Sequence, residues 1–435
     1  MALEKTRGRR IQIGELAVVV GAGRSGLAAA RLLRREGARV RLLDRNTAAL
    51  SPEQAASLQK LGVDVQLGEH SPEQFEHAAF VVPSPGMPVA KLAQYLGDTC
   101  EGAPEVLAEM ELAWRCLNDE PVLAVTGTSG KTTTASLAAA MLQAQGYTVF
   151  LGGNIGTPLS EYVLSGRKAD VLALEISSFQ LQACSTFCPR AGVLLNITPN
   201  HLDYHKDMAE YAEAKFRLFR CQGEGDLAVL GADLRELARG FNLRAHQVWV
   251  RESNRFPQSG LLGAHNKFNE EAAWQACRFF GVSEANAARA VARFKPLPHR
   301  LELVRERGGV LYVNDSKCTT VSSLKVALRA FDRPLRLLCG GKFKGGDLAD
   351  LSDLVRERVR EVALFGASRE HFEKAWQGLV SLSWHPTLEE AVRALAASAD
   401  KGDVVLLAPA TSSFDLYDNY MARGDDFKHI VSELA

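Results

Sequence analysis

Six apolar, β-branched runs recur along the 435 residues, at 16–21, 122–126, 310–314, 335–339, 362–365 and 404–407. Each ends in a polar or glycine-bearing loop that leads into an Ala/Leu-rich stretch. Runs of this length without polar alternation fit strands buried on both faces. Strand followed by helix, repeated, predicts doubly wound, mostly parallel α/β sheets. Two punctuations divide the series. Asn118-Asp119-Glu120-Pro121 precedes a fresh strand, and the prolines of Lys295-Pro296-Leu297-Pro298 interrupt a helical stretch. The expected domains are 1–119, 120–297 and 298–435, in line with roughly 150 residues per domain.

Composition narrows the partners. A chain that is 46% hydrophobic can bury several cores, which excludes wholesale disorder. Lys plus Arg and Asp plus Glu number 51 each, so no overall cationic surface is available for a nucleic-acid backbone. The longest apolar candidate for a membrane helix, 16–33, is broken by Arg24 and Arg31. The basic start, 1–10, leads into no signal-peptide core. The eight cysteines form no Cys-x-x-Cys pair, the nearest two being Cys184 and Cys188. The expectation is a cytoplasmic, monomeric enzyme with neither nucleic acid nor membrane as partner.

The loops carry the chemistry. Gly21-Ala22-Gly23-Arg24-Ser25-Gly26 lies between a strand and a predicted helix at 27–35. Such a turn lets backbone approach a pyrophosphate at a helix N-terminus. Asp44, at the end of the next strand, is placed to meet a ribose hydroxyl. The same turn also serves as plain strand–helix packing. The later loop Pro83-Ser84-Pro85-Gly86-Met87-Pro88 either faces the same ligand or merely turns the chain.

The loop at 126–134 is more specific. Thr126-Gly127-Thr128-Ser129-Gly130-Lys131-Thr132-Thr133-Thr134 sits between a strand and a predicted helix at 135–145. It matches the end of a phosphate-loop pattern, with its two glycines more tightly spaced. Backbone N–H groups cradle phosphates in such loops, with Lys131 as the cation and Thr132 placed to reach Mg²⁺. Glu175 ends an apolar strand, where an oxygen ligand for a hard cation is expected. His201 follows the predicted strand 193–197. Lys215 falls on a predicted helix at 208–219, where a lysine is ordinarily a solvated face residue. Gly152–Gly156 and Gly263–Asn269 read as polar strand-to-helix loops. In the last domain three loops, at 314–317, 340–346 and 409–415, follow strands and fall on one sheet edge.

Taken in order, these residues resemble the Mur ligase family. The family motifs are Gly127–Thr133, Gly153–Gly156, Leu174–Gln180, Asn200–Asp203 and Gly263–Asn266. Pro298–Arg300, Asn314–Lys317, Gly340–Lys344 and Ser412–Asp415 through Arg423-Gly424 resemble the branch that joins D-glutamate to UDP-N-acetylmuramoyl-L-alanine at the expense of ATP. The resemblance implies a Rossmann-like first domain for the UDP substrate, a P-loop ATPase-like centre, and a Rossmann-like last domain for the amino acid.

It also implies roles. Gly127, Thr128, Ser129, Gly130, Lys131, Thr132 and Thr133 would bind ATP phosphates, with Asn266, Arg300 and Asp315 on the nucleotide. Thr132, Glu175, His201 and Lys215 would serve magnesium, Lys215 as an N-carbamate. Ser25, Gly26, Asp44, Ser84, Gly86 and Asn154 would bind the UDP substrate. Thr319, Lys344, Ser413 and Tyr420 would bind D-glutamate, and Lys131, His201, Lys215 and Lys317 would act in catalysis. Asn200 stands where many relatives carry Asp, and Tyr420 where they often carry Phe. Rival readings are a ligase for another amino acid, a nicotinamide oxidoreductase built on Gly21–Gly26, and a GTPase-like switch. The oxidoreductase leaves the loop at 126–134 unexplained, and no Asn-Lys-x-Asp guanine reader occurs.

Overall fold

The computed structural model describes residues 8–96, 103–201 and 204–434. The chain forms two compact units. One runs to Pro257 and includes Phe268–Ala292; the other joins Gln258–Lys267 to the chain from Arg293 onward.

The first unit holds two sheets. The first comprises β1 (Leu16–Val20), β2 (Arg39–Asp44), β3 (Val63–Leu67), β4 (Ala78–Pro83) and β5 (Glu105–Val106), all parallel, in the order β3-β2-β1-β4-β5. The strand order reverses between β1 and β4, so a crevice opens at their carboxyl ends. Gly21–Gly26 leaves β1 there and Ser84 leaves β4. Gly26 is required by close approach: a Cβ on it would lie 1.9 Å from the Gly21 carbonyl oxygen.

The second sheet comprises β6 (Val122–Thr126), β7 (Val149–Gly153), β8 (Val171–Glu175), β9 (Ala191–Leu194), β10 (Leu227–Gly231) and β11 (His246–Val250). It too is all parallel, in the order β11-β10-β9-β6-β8-β7. Every residue of β6, β8 and β9 is buried, as continuous apolar runs demand. The strand expected at 193–197 is Ala191–Leu194, because Asn196 leaves the ladder to serve the phosphate loop. The helix expected from 135 begins at Lys131, capped by Gly130 in the left-handed region (φ 84°), and so includes Lys131–Thr133 in its first turn. The helix expected at 208–219 is α-helical over Met208–Phe216 and closes in a single 3₁₀ turn, Arg217–Phe219. The expected loop Gly263–Asn269 is mostly helix, since Ala264–Arg278 is one element.

The second unit holds β12 (Glu302–Arg307), β13 (Val310–Asn314), β14 (Leu335–Gly340), β15 (Val359–Phe365), β16 (Ser381–His385) and β17 (Val404–Leu407). Their order is β12-β13-β17-β14-β15-β16, parallel except for the hairpin β12–β13. The three polar loops expected on one edge follow β13, β17 and β14, which are adjacent. Apolar clusters cover both faces of this sheet.

Candidate active site

The phosphate loop is held from behind by the turn that follows β9. Thr128 N–H donates to the Asn196 carbonyl (3.0 Å), Ser129 N–H to Asn196 Oδ1 (2.9 Å), and Asn196 Nδ2 to the Ser129 carbonyl (3.2 Å). Thr128 Oγ1 meets Tyr211 Oη at 3.1 Å and accepts from Thr198 N–H at 3.0 Å. Asn269 packs on the loop: a Cβ on Gly130 would lie 2.5 Å from its Oδ1.

Two lysines converge on this loop. Lys131 Nζ donates to the carbonyls of Gly127 and Thr128, both at 2.9 Å, and Lys215 Nζ donates to the Gly127 carbonyl at 2.9 Å. Lys215 is 1% exposed, so the expectation of a solvated face is overturned. Its helix turns that face inward, one turn after buried Tyr211, whose ring lies 4.6 Å from the Lys215 amine. Burial, and then the neighbouring Lys131 ammonium, push the Lys215 amine well below the ordinary lysine range.

Glu175, expected as an oxygen ligand, ends β8, the strand beside β6. Glu175 is 2% exposed; its Oε1 accepts from Asn154 Nδ2 at 2.7 Å. Its Oε2 is buried with no hydrogen-bond partner among the described residues. A buried carboxylate oxygen without a donor is costly, and a hard cation is the partner that such an oxygen fits. Among the described residues no group of three His, Cys, Asp or Glu side chains gathers. A site for Mg²⁺ fits that donor set, because this ion keeps several waters and takes few protein ligands. Thr132, in the first turn of the helix Lys131–Ala144, is half-buried. His201 takes the left-handed region (φ 56°), with its ring edge-on to Phe179 at 4.8 Å. Leu202 and Asp203 of the same motif lie outside the described residues.

Of the six residues expected for the UDP substrate, five lie about the crevice of the first sheet, and Asn154 instead follows β7 of the second sheet, against Glu175. Half-buried Ser25 and buried Gly26 lie in the helix Arg24–Arg35, Ser84 N–H donates to the Val20 carbonyl (2.6 Å), and exposed Gly86 tops the turn closed by Met87 N–H on the Ser84 carbonyl (2.9 Å). Asp44 braces the glycine turn itself: one oxygen accepts from Ala22 N–H (2.7 Å), the other from Asn46 N–H (2.9 Å). Tyr204 Oη donates to the Met87 carbonyl (2.9 Å), tying this loop to the turn that carries His201.

In the second unit Arg423, 0% exposed, binds all three loops. It donates to Ser316 Oγ (3.0 Å) and carbonyl (2.9 Å), to the Thr411 carbonyl (3.1 Å) and to the Gly340 carbonyl (3.3 Å). Burial among neutral acceptors lowers its guanidinium to about 10. Gly341 (φ 131°) leaves room for this knot, since a Cβ there would lie 2.3 Å from the Ser412 carbonyl oxygen. Around it stand Lys317, whose Nζ lies 3.2 Å from Tyr420 Oη, half-buried Thr319, buried Ser413 and exposed Lys344. Asp315 accepts from Leu301 N–H at 3.3 Å; burial raises its carboxyl from 3.8 to about 7, against the pull of that N–H and of Arg300. Arg300 is half-buried, and Asn266 donates to the Leu262 carbonyl at 2.7 Å.

Among the described residues five non-glycine residues have positive φ: His77, His201, His299, Leu301 and Ala410. Three of them, His201, His299 and Ala410, fall in the motif loops and Leu301 directly follows one, as backbone strain at functional sites does. Asn196, Tyr211, Asn269 and the bracing role of Arg423 escape a reading by motif. For Tyr211 a signal existed, its i, i+4 spacing from Lys215.

Fold and site together define an α/β protein with glycine-bearing loops at the carboxyl ends of mostly parallel strands. Sequence profiles sharpen that class: the Mur ligase MurD-like N-terminal domain matches residues 15–95, the Mur ligase middle domain residues 125–276, and the Mur ligase glutamate ligase domain residues 299–411. The chain belongs to the Mur ligase family. It is 76% identical over 437 residues to a protein of Desulfovibrio desulfuricans named UDP-N-acetylmuramoylalanine–D-glutamate ligase, covering 100% of both chains. It is 63% identical to a protein of the same name from Nitratidesulfovibrio vulgaris, covering 99% of each. Among solved structures it resembles the MurF ligase of Thermotoga maritima in complex with ADP, with a TM-score of 0.59 at 19% identity over 100% of both chains. It also resembles the UDP-N-acetylmuramate–alanine ligase MurC of that organism, with a TM-score of 0.56 at 17% identity, covering 96% of this chain and 99% of the other. Among the described residues no helix is long and apolar enough to cross a membrane.

Proposed function

We propose that the protein is an ATP-dependent, amide-forming ligase that adds D-glutamate to UDP-N-acetylmuramoyl-L-alanine in the cytoplasmic synthesis of peptidoglycan precursors. The substrate's terminal carboxylate attacks the γ-phosphorus of ATP, and the bond to ADP breaks. The D-glutamate amine attacks the acyl phosphate, loses a proton, and the tetrahedral intermediate expels phosphate to leave an amide. A carboxylate is a poor electrophile, and phosphorylation supplies its leaving group. Positioning and charge neutralisation carry such transfers.

The division of labour follows the domains, at 1–119, 120–297 and 298–435. Ser25, Gly26, Asp44, Ser84, Gly86 and Asn154 hold the UDP substrate. Gly127–Thr133 cradle the phosphates, with Lys131 neutralising their charge. Asn266, Arg300 and Asp315 serve the nucleotide, and Thr319, Lys344, Ser413 and Tyr420 the D-glutamate. Thr132, Glu175, His201 and a carbamate on Lys215 would hold Mg²⁺, which supplies charge neutralisation on phosphate oxygens. Burial, and then the Lys131 ammonium, make the Lys215 amine easier to deprotonate, and the free amine would add to CO₂ with loss of a proton. The reading takes the chain to act as a monomer.

What supports this reading most is the convergence of Lys131 and Lys215 on one phosphate-loop carbonyl, in a chain similar along its whole length to relatives of that name. The test is phosphate release from ATP with UDP-N-acetylmuramoyl-L-alanine and a panel of amino acids of both hands. Turnover with D-glutamate alone is expected. Turnover with L-alanine, a diamino acid or D-Ala-D-Ala in its place overturns the assignment.

A further inference from the structure

The turn that carries His201 is strained and has to be held. His201 is a non-glycine residue in the left-handed region (φ 56°). Such a backbone persists only where its surroundings over-determine it. Its carbonyl accepts from Tyr204 N–H (3.1 Å) and from His205 N–H (2.9 Å), so the turn closes on His205. His205 is anchored in turn. It is 1% exposed, and its Nε2 meets Ser178 Oγ at 2.9 Å.

Ser178 belongs to the other half of the site. It opens the helix Ser178–Gln182, just beyond the strand end that bears Glu175. The connection between them is stiff. Ile176 N–H donates to the Val125 carbonyl (2.9 Å), and Ser177 caps the helix through reciprocal bonds with Gln180. Phe179 touches both histidines, edge-on to His201 at 4.8 Å and stacked on His205 at 5.7 Å. Tyr204 and Tyr211 flank the His205 ring at 5.0 and 5.2 Å. These ring contacts alone would suffice for a histidine that only filled space. The hydrogen bond to Ser178 adds a fixed distance between the His201 turn and the loop that follows Glu175.

We propose that the Ser178–His205 hydrogen bond is a brace that holds His201 and Glu175 in register, which makes His205 a positioning residue for Mg²⁺. The proposal rests on the reading of Glu175 and His201 as residues that hold the ion. Ligands carried on two separate loops bind more tightly when contacts behind them fix the loops beforehand.

The probe is Mn²⁺, titrated into the full-length protein with a non-hydrolysable ATP analogue and followed by the EPR signal of the free ion. Ser178→Ala and His205→Leu should each weaken Mn²⁺ binding roughly tenfold, the scale of a lost outer contact at a metal site. The double variant should bind no more weakly than the weaker single one, because both changes remove the same bond. His205→Gln, which returns a polar atom near the place of Nε2, should recover most of the affinity. Affinity for the analogue without metal should stay as in the parent, a quantity that a general structural defect would lower. Unchanged Mn²⁺ affinity in both single variants overturns the brace. So do losses that multiply in the double variant, a His205→Gln variant as weak as His205→Leu, or an equal loss of the metal-free analogue. A parent protein that takes up no Mn²⁺ overturns the underlying metal reading instead, and is told apart by the absence of any binding to lose.

Discussion

Lys215 sits one helical turn beyond Tyr211, and that spacing puts both on the face buried under the phosphate loop. Nothing in the local sequence distinguishes this lysine from a solvated one, because the burial comes from the Gly127 carbonyl, 88 positions away. If a carbamate on Lys215 serves the metal, Lys215→Ala should lose at least about 10²-fold in kcat, the scale of a lost transition-state electrostatic contact. Added short-chain carboxylic acids should restore part of it by filling the space with an equivalent oxygen ligand. No rescue at any concentration sinks the carbamate. Asp315 makes a second prediction, on pH. Its carboxyl titrates near 3.8 when exposed and about 7 here. Between those values the folded chain holds the extra proton, so stability falls as pH rises through the window. Asp315→Asn should flatten that fall between about pH 4 and about pH 7, by at most about 4 kcal/mol for a shift of about three units. A thermal midpoint whose pH slope is the same in both proteins contradicts the assignment.

Elements were legible where one period dominated. The apolar runs that became β6, β8 and β17 are buried on both faces, so no register choice was left open. Boundaries were less legible because they depend on distant partners. Asn196 leaves β9 early to hold Ser129, and Gly130 starts its helix four residues ahead of the expected point. Asn266 and Asn269 look like one polar loop in the sequence, yet they lie on one helix shared between the two units. The strand–turn–helix at Gly21–Gly26 was legible as a motif, but its bracing by Asp44 was not, since a carboxylate facing a ligand and one facing backbone N–H groups read alike. This element supports a third prediction. Gly26→Ala forces a Cβ into the Gly21 carbonyl and should cost about 1–3 kcal/mol as overpacking does. Affinity for the UDP substrate should fall while ATP binding survives. Equal loss of both ligands would show that the turn does not belong to the UDP site.

At the scale of the molecule, 51 cationic and 51 anionic residues cancel, yet every proposed substrate is an anion. The cations proposed to meet them are local: Lys131 at the phosphate loop of the first unit, and Arg300, Lys317 and Lys344 on strand-end loops of the second. Composition could say only that the total was neutral. The division into two compact units was also beyond it, because Gln258–Lys267 joins the later sheet through packing such as that of Leu262, which no punctuation in the sequence marks. Two units with separate cores should not unfold as one. Calorimetry of the full chain should show two transitions, with a calorimetric enthalpy above the van't Hoff value. Arg423→Lys assigns them. Lysine cannot reproduce the guanidinium fork that holds Ser316, Thr411 and Gly340; the Gly340 carbonyl keeps the Thr411 hydroxyl, but the Ser316 and Thr411 carbonyls lose the guanidinium donor, at about 1–3 kcal/mol each. That substitution should lower one transition by several degrees and leave the other in place. Lys131→Ala should leave both nearly unmoved while abolishing turnover. A single transition that shifts as a whole with Arg423→Lys would mean that the two units unfold as one cooperative body.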